Sequence, residues 1–553
     1  MLKVRVVWLL TLGIAVGCAS PASPAVIGSS RTATVATQPS TQTTPTTTPT
    51  TTPTTTPTTR PTTTQEQTPS RSTSAGDRRF PTLGSPDIDV ENYSVALAYD
   101  PDTRRLAGSV TASGVVVNAT DQISFDLSGP AVSSVALNGE SVEFTVGDSE
   151  LLVPLDSALS AGARFETTVD FASAANSQTW NPDAAGLFAS RDGVWSVNEP
   201  AGASTWLPVI DHPTDKATWS FEISVPKGLE AISNGELVEP GGVMNGDRTM
   251  WHWVQAEPMA SYLITLLIGD YDFVDAGESA TGVRFEHVVL ADRRTTLDSY
   301  LEVTKQQMAY FEEIFGPYPF DRYGISITDS VPGLAMETQG LPVFSWRDLD
   351  GTLGVGAQLF LSHELAHQWF GDAVSPATWD DIWLNEGFAT YAQWLWFDHI
   401  GIDDLASTAT VSLAMLPPFG WPLSRPDELF GEVAYTGGAV ALHALRLTVG
   451  DEAFFAGLQQ WVATYLDSAA STDDFRAVME DVSGMDLATY FTTWVDATSI
   501  PDRFPSVAED GVDDPAPQPA AVIAAGLHLI RSDGSGPRCV DADPTKWFRF
   551  PFS

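Results

Sequence analysis

The 553-residue sequence contains only two cysteines, Cys18 and Cys539, which lie near opposite ends of the chain. Two cysteines form at most one bridge, so a framework held together by several disulfides is excluded. The stability of the folded part must therefore come from buried side chains. A hydrophobic content of 43% is normal for folded protein, and a chain of this length is too long for one core, so two or three domains are expected.

Basic residues are scarce as well. The chain has 28 lysines and arginines against 70 aspartates and glutamates, which gives a formal net charge of −42. A surface of this charge repels phosphates, so nucleic acid and anionic membrane surfaces are not expected as partners. The charge indicates a soluble surface and says little about chemistry.

The first residues have the composition of a processing signal. "MLKVR" is positively charged, and "VVWLLTLGIAVG" is an apolar run of twelve residues, too short to span a bilayer but suited to a secretory signal. Cys18 follows directly, which resembles a bacterial lipoprotein signal, although Ala15 stands where leucine is usual. Residues 1–17 are therefore predicted to be a signal peptide. Lipid on Cys18 would be the only membrane contact and would hold the protein at the bacterial cell surface; the alternative is plain secretion.

The remaining chain divides by composition. Residues 18–79 are rich in threonine and proline and have little to bury, which predicts a disordered stalk. Residues 80–275 show alternating apolar patterns that are typical of β-strands, for example Tyr93, Val95, Leu97 and Tyr99 before the turn "DPDTRRLAG". Helical patterns dominate residues 276–505, and no structure is predicted for the tail, 506–553. The expected class is α+β multidomain, with an N-terminal β-sheet domain followed by a mostly helical one.

Histidine is also rare, yet two of the eight histidines stand four apart in "HELAHQWFGD". This spacing places His363 and His367 on one face of a helix, predicted from about Gly354 to Gly371, so that both imidazoles can reach one metal ion. Glu386, nineteen residues after His367, opens the next helix and is a candidate third ligand. Glu364 points away from the ion's face and is suited to act as general base on a water.

These residues resemble a known family. HELAH, an eighteen-residue gap and "NEGFA" are similar to the signature of the gluzincin aminopeptidases, the family of aminopeptidase N. "TWDDIWLNEGFATY" and "STDDFRAVMEDVSGMDLATYFTTWV" support this resemblance, which covers roughly residues 85 to 505. It implies that the helical domain is a thermolysin-like zinc peptidase domain, with one zinc ion and with peptides that have a free N-terminus as substrates.

The resemblance also points to the residues that bind the substrate. "VPGLAMETQG" matches the family's Gly-Ala-Met-Glu-Asn motif, in which the glutamate, here Glu337, grips the free amine. The backbone of Ala335 and Met336 would then lie along the peptide. Leu334 and Thr338 depart from the motif, which puts the backbone contacts and the subsite shape in question.

Two further positions are assigned by the same resemblance. Glu199, in "VNEPAGASTWLPVIDHP", falls where the β domain supplies a second group for the amine, with a solvated loop acid as the alternative. Tyr435, in "EVAYTGGAV", falls where a phenol donates to the oxyanion, although Gly437 replaces the usual lysine. Asn385 and Asp372 are either supports for the metal ligands or helix caps.

The sequence therefore predicts a zinc-dependent aminopeptidase with Glu364 as general base and Tyr435 as oxyanion stabiliser. Three alternatives stay open. A thermolysin-like endopeptidase shares the metal ligands, an epoxide hydrolase of the leukotriene type occurs in the same family, and a catalytically silent surface lipoprotein would use the fold for binding alone.

Overall fold

The computed structural model describes residues 74–505, except for 177–184, 192, 239, 417–419 and 421. The predicted signal peptide, Cys18, most of the predicted stalk and the tail at 506–553 lie outside these residues. Within the described part, none of the helices combines the length and the apolar character that a bilayer crossing requires.

The first part of the described chain is built from strands, as the sequence predicted. Its largest sheet has the order β13-β15-β11-β1-β2-β8-β4-β5, with β14 also paired to β15; smaller sheets have the orders β12-β16-β10-β9 and β3-β7-β6. The strands are β1 (Ile88–Asp100), β2 (Arg105–Val116), β3 (Thr120–Asp126), β4 (Ala131–Leu137), β5 (Glu140–Ser141), β6 (Thr145–Val146), β7 (Glu150–Leu159), β8 (Arg164–Ala174), β9 (Gly186–Ala189), β10 (Val194–Val197), β11 (Lys216–Pro226), β12 (Glu230–Ile232), β13 (Glu236–Leu237), β14 (Val243–Asn245), β15 (Arg248–Ala260) and β16 (Leu267–Gly269).

The predicted first hairpin is present. Strands β1 and β2 pair antiparallel from Asp100 opposite Arg105 to Ile88 opposite Val116. The apolar side chains that alternate along β1 are buried, while most of the polar ones between them face outward. This alternation fixes the register, because a shift of one residue would expose the apolar set.

The second part is mostly helical but contains a mixed sheet of the order β17-β18-β20-β22-β21, with β19 paired to β18. Its strands are β17 (Tyr271–Glu278), β18 (Arg284–Leu290), β19 (Arg322–Tyr323), β20 (Ser326–Thr328), β21 (Ala335–Met336) and β22 (Val343–Ser345), and a separate pair is formed by β23 (Val374–Pro376) and β24 (Ser468–Ala470). The helices are α1 (Arg294–Leu297), α2 (Leu301–Phe315), α3 (Val355–His367), α4 (Trp383–His399), α5 (Leu405–Met415), α6 (Gly438–Val449), α7 (Asp451–Tyr465), α8 (Thr472–Ser483) and α9 (Ala488–Trp494).

Two expected domain limits differ from the structural elements. The predicted limit at residue 275 falls inside β17, which pairs with β18 and so belongs to the sheet of the second part. Residues 77–79 were assigned to the stalk, yet Asp77 is buried and hydrogen-bonded to Trp379. The folded region therefore includes the last residues of the predicted stalk.

The apolar core of the β domain continues into the helical domain. It includes Met336 of β21, Trp379 and Ile382 before α4, and Ala434 before α6. Lys216 of β11 ties the two parts further, since its ammonium group donates to the backbone oxygens of Asp372 and Ala373 at 2.6 and 3.0 Å. The segments around the predicted metal site are thus held by both domains.

Candidate active site

Helices α3 and α4 bring the three predicted metal ligands together. His363 and His367 lie in the last two turns of α3, and Glu386 lies in the first turn of α4. The Nε2 atoms of His363 and His367 are 3.2 and 3.6 Å from Glu386 Oε2. All three ligand atoms lie within 4.8 Å of one another.

This arrangement fits zinc. Zinc bonds to nitrogen and carboxylate oxygen are about 2.0–2.1 Å long, which places two tetrahedral donor atoms about 3.3 Å apart. The two measured nitrogen–oxygen separations bracket that value. Two imidazoles and one carboxylate also leave a fourth position open, as catalytic zinc requires.

A backbone carbonyl orients one of the two histidines, His367. His367 Nδ1 lies 3.1 Å from the carbonyl oxygen of Phe370. If Nδ1 carries the proton and donates to this carbonyl, Nε2 keeps its lone pair for the metal. The chain then turns at Gly371, whose φ of +135° lies in a region that disfavours side chains. The helix ends at His367 rather than at the predicted Gly371.

Glu364 and Glu337 form a second group around His367. One carboxylate oxygen of each lies within 4.8 Å of the other and of a ring nitrogen of His367. Burial raises the pKa of Glu364 well above its usual value, and the charges of Glu337 and Glu386 add to this, whereas His367 opposes it. Burial and the charge of Glu386 also raise the pKa of Glu337, although His367 lowers it.

The pKa values of Glu386 and His367 are shifted by the charged groups around them. Burial alone would raise the pKa of Glu386, but hydrogen bonds with His363 and His367 lower it to about 2. Burial would lower the pKa of His367, but Glu337, Glu386 and Glu364 outweigh it and raise the pKa well above the usual range. The site is therefore a buried cluster of carboxylates that a cation would stabilise.

Glu199 reaches the same cluster from the β domain. Burial raises its pKa, and Glu337, Glu386 and Glu364 contribute in the same direction. One oxygen of Glu199 and one of Glu337 are buried without a hydrogen-bond partner. Buried polar atoms are nearly always paired, so two unpaired carboxylate oxygens at one place are available to a ligand that donates hydrogen bonds. The structure thus places Glu199 in the site and not on a solvated loop.

Tyr435 lies in a turn of π-helix, Val433–Gly437, directly before α6. Such turns often occur at functional sites. The phenol ring stacks on His363, with ring centroids 5.9 Å apart and planes 9° from parallel. Burial raises its pKa well above the usual value, and Glu386 and Glu199 are the next contributors. The phenol therefore stays protonated and able to donate. By contrast, Tyr391 hydrogen-bonds His443 in the core.

Strand β21 holds the residues of the predicted peptide-binding motif. It pairs with β22 on one side and, among the described strands, ends the sheet on the other. Ala335 and Met336 therefore present a free strand edge beside Glu337. Leu334 and Thr338, the two departures from the family motif, are both buried: Leu334 joins the β-domain core, and Thr338 donates to the carbonyl of Leu341 at 2.6 Å.

Gln368 supports this region and was not singled out from the sequence. Its side-chain amide donates to the carbonyl of Glu337 at 2.9 Å, and its side-chain oxygen accepts from Gly340 N at 2.8 Å. It therefore ties the end of α3 to the segment after β21. The only available signal was its position directly after His367.

Asn385 and Asp372 do not act as helix caps. Asn385 lies within α4, and its side-chain amide lies against Gly371. Asp372 is buried, and neither of its carboxylate oxygens has a hydrogen-bond partner within the described residues. Burial raises its pKa, with Glu337 as the next contributor. Asn385 precedes Glu386 in α4 and Asp372 lies within electrostatic reach of His367, and their role as supports for the metal ligands stays a prediction.

Comparison with known proteins gives consistent matches over both domains. The Peptidase M1 N-terminal domain matches residues 89–263, and the Peptidase family M1 domain matches 299–417 and 422–494. "Probable aminopeptidase 2" of Sulfurisphaera tokodaii is 27% identical over 76% of this chain and 55% of its own length. "Aminopeptidase N" of Streptomyces lividans is 28% identical over 70% of this chain and 47% of its own length. The chain thus spans about half the length of these curated relatives.

A solved structure matches over its whole length. It is a mutant M1 zinc metallopeptidase from Deinococcus radiodurans bound to a Tyr-Ser-Ala substrate, 30% identical, with a TM-score of 0.71. The match covers 79% of this chain and 100% of that one. Together with the geometry of His363, His367 and Glu386, these matches show that the chain belongs to the M1 family of zinc metallopeptidases.

Proposed function

We propose that this protein is a zinc-dependent aminopeptidase that removes N-terminal residues from peptides. The observation that carries this assignment is the pair of buried, unpartnered carboxylate oxygens of Glu199 and Glu337 beside the metal ligands. A peptide's ammonium group is a cation with several hydrogen-bond donors and would satisfy both oxygens. A substrate that continued N-terminally past Glu199 and Glu337, as the substrate of an endopeptidase does, would have to bury an uncharged amide against these two carboxylates.

Zinc would be held by His363, His367 and Glu386, and when bound it supplies a Lewis acid that polarises a carbonyl and acidifies a water. The chain's own residues provide the proton transfers. Glu364 takes a proton from the attacking water and delivers it to the departing amine. Burial raises the pKa of Glu364, which makes its carboxylate a stronger base than a solvated one.

Tyr435 would stabilise the negative charge that develops on the carbonyl oxygen. Its phenol is protonated, faces Glu386 and Glu199, and is held by the stack on His363. A donor placed where charge develops stabilises the transition state more than the ground state. The peptide would add to the free edge of β21, with its backbone along Ala335 and Met336, as peptides do at exposed sheet edges.

The test is a time course on a ten-residue peptide and on its N-acetylated form. An aminopeptidase releases single residues from the N-terminus and ignores the acetylated peptide, because the acetyl group removes the charge and adds bulk at Glu199 and Glu337. Internal fragments that appear first, or equal cleavage of both peptides, would support an endopeptidase and exclude this function. Turnover of a lipid epoxide without peptide cleavage would favour the epoxide hydrolase.

The metal assignment has its own test. Purified protein is expected to hold one zinc ion per chain, and His363→Ala or Glu386→Ala should remove both metal and activity. Glu364→Gln should keep the metal and lose hydrolysis, because only the base is lost. His252→Ala, in the β domain, is a control that should change neither. Zinc bound as tightly by Glu386→Ala as by the wild type would contradict the ligand set.

We also propose that the enzyme is extracytoplasmic and is anchored through lipid on Cys18, with secretion as the alternative. The support is the charged start, the apolar run and the cysteine that follows it. Native protein should partition into detergent, and Cys18→Ser should release it into the aqueous phase. Unchanged partitioning of Cys18→Ser would rule out the lipid.

A further inference from the structure

The residues that precede the β domain cross to the helical domain. We call residues 77–80 the strap; they lie before the segment, 89–263, that matches the family's N-terminal domain. Asp77 is 2% exposed. Its carboxylate accepts from the backbone N–H groups of Trp379 at 2.7 Å and of Arg79 at 2.6 Å. These bonds fix the strap against the turn before α4.

Two arginines of the strap bind one carboxylate of that turn. Arg78 donates to both oxygens of Asp380, at 2.7 and 2.6 Å, and Arg79 Nε donates to Asp380 Oδ1 at 2.9 Å. The side chains of Arg79 and Asp380 are only 13% and 15% exposed, whereas that of Arg78 is 48% exposed. The bond from Arg79 is therefore the better shielded from solvent.

Arg79 reaches a second segment with the other end of its guanidinium. Its Nη1 and Nη2 atoms donate to the backbone carbonyls of Asp427, at 3.4 Å, and of Pro426. One planar guanidinium thus bridges the turn at Asp380 and the segment at 426–427. An ammonium group is too compact to make these contacts together.

Both segments lead directly into the proposed catalytic elements. Trp379–Asp381 is a turn of 3-10 helix, and only Ile382 separates it from α4, in whose first turn Glu386 lies. Pro426 lies nine residues before Tyr435 in the sequence. A shift of either segment relative to the other would change how Glu386 and Tyr435 face the substrate.

We propose that Arg79 is a positioning residue that fixes the separation of Glu386 and Tyr435, a role that rests on the proposed aminopeptidase function. Arg78 and Asp77 support it by holding the strap on the same turn. The Nε, Nη1 and Nη2 atoms of Arg79 all donate to protein oxygens, so Arg79 is not placed to contact substrate. Its loss would let the two segments move apart, and displacements of about 1 Å at a reaction centre cost up to about a hundredfold in rate.

Arg79→Ala is the first variant to measure, with cobalt(II) in place of zinc and with an aminoacyl-anilide as substrate. The visible absorption of cobalt reports ligand geometry without any turnover. We expect Arg79→Ala to change this spectrum and to lower kcat about tenfold, with KM within about twofold, because the amine-binding carboxylates do not depend on the strap.

Arg446→Ala is the matched control. Arg446 makes an equally well-formed pair with Asp451, at 2.8 and 2.9 Å, and its side chain is 17% exposed. The Arg446→Ala variant should have a lower melting temperature than the wild type, as should Arg79→Ala. Its cobalt spectrum and kcat should stay unchanged. A wild-type cobalt spectrum and kcat in Arg79→Ala would show that the positioning role is wrong. The same conclusion would follow if Arg446→Ala changed the spectrum and lowered kcat as strongly as Arg79→Ala, because the effect would then be a general loss of structure.

Arg79→Lys covers the case in which Arg79→Ala does not fold. It keeps the charge near Asp380 but not the contacts to both segments, so an intermediate kcat and an altered spectrum are expected. A wild-type spectrum and kcat in Arg79→Lys would overturn the proposal. If the wild type fails to cleave the anilide, the aminopeptidase function is wrong, and the cobalt spectra still decide whether Arg79 positions the metal ligands.

Discussion

Gly387 and Gly438 bring the backbones of α4 and α6 into contact. A Cβ atom added to Gly387 would lie 2.8 Å from the Cα of Gly438, and one added to Gly438 would lie 2.7 Å from the Cα of Gly387. Gly387 directly follows Glu386, and Gly438 begins the helix that follows Tyr435. The crossing therefore holds a proposed metal ligand close to the proposed oxyanion donor, in addition to the bridge that Arg79 makes between the segments before them.

Gly438→Ala should separate the two helices and lower activity. Contacts below 3.0 Å with backbone atoms cannot be relieved by a side-chain rotation, so α6 must shift. We expect a decrease of about tenfold or more in kcat and a lower melting temperature. Gly356→Ala, on α3, is the control because nothing lies within 4 Å of its added Cβ. Equal activity of both variants would show that the crossing does not position the site.

Tyr435→Phe should remove the oxyanion donor while keeping the stack on His363. Loss of one such donor typically costs about a hundred- to a thousandfold in kcat, and a similar loss is expected here. The zinc content and the melting temperature should stay at wild-type values. Steady-state kinetics together with a metal assay check this. A loss of less than about threefold would mean that another group supports the oxyanion.

Glu337→Ala should weaken recognition of the free amine. A charged hydrogen bond of this kind is worth about 1.5–3 kcal/mol, which corresponds to about ten- to a hundredfold in kcat/KM. Both a higher KM and a lower kcat are expected, because the amine also aligns the first peptide bond. Glu199→Ala should change the kinetics in the same direction. Unchanged selectivity for free over acetylated peptides in both variants would refute the proposed amine site.

Asp126 should make the stability of the β domain depend on pH. Burial raises its pKa to about 8, although backbone N–H groups of Asp211 and Gly84 lower it. The folded protein therefore keeps a proton that the unfolded chain, with a pKa of about 3.9, releases. Between about pH 4 and 8, the free energy of unfolding should fall as the pH rises, by at most about 1.4 kcal/mol per pH unit from this group.

Asp126→Asn should flatten that dependence. Urea unfolding of the zinc-loaded protein at pH 5 and pH 8 measures the two free energies, and the difference between them should shrink in the variant. Glu143→Gln, at an exposed position of the same domain, is a control that should leave the difference as it is. The same pH dependence in Asp126→Asn and in the wild type would assign the effect to other groups.

The sequence was sufficient to predict that the two candidate histidine ligands lie together, because local periodicity determines their placement. A spacing of four residues puts His363 and His367 on one helical face in any fold. Glu386 opens the next helix and was a candidate on that ground, although residues 368–382 between the two helices contain β23 and a turn of 3-10 helix. The β1–β2 hairpin was predictable for the same reason, since both its strands and its turn lie within one stretch of sequence.

Contacts between distant segments could not be predicted in this way. Strands β19 to β22 are two or three residues long, too short for a period of two to be visible, so the sheet of the second domain was not identified. The bond between Arg79 and Asp380 joins residues 301 positions apart. The local sequence Asp77-Arg78-Arg79-Phe80 differs from the threonine- and proline-rich sequence before it, but nothing in it identifies Asp380 as the partner of Arg79.

If peptides add to the free edge of β21 as proposed, that edge limits which polypeptides the protein could trim. A substrate that adds to that edge must be fully extended over its first residues, so an N-terminus that is folded into a helix or sheet has to detach first. Removal of residues from a folded protein would then follow the population of its frayed states rather than the affinity of the enzyme. Such an enzyme would act mainly on unfolded chains and short fragments, and its rate on an intact protein would measure how readily that protein's N-terminus opens.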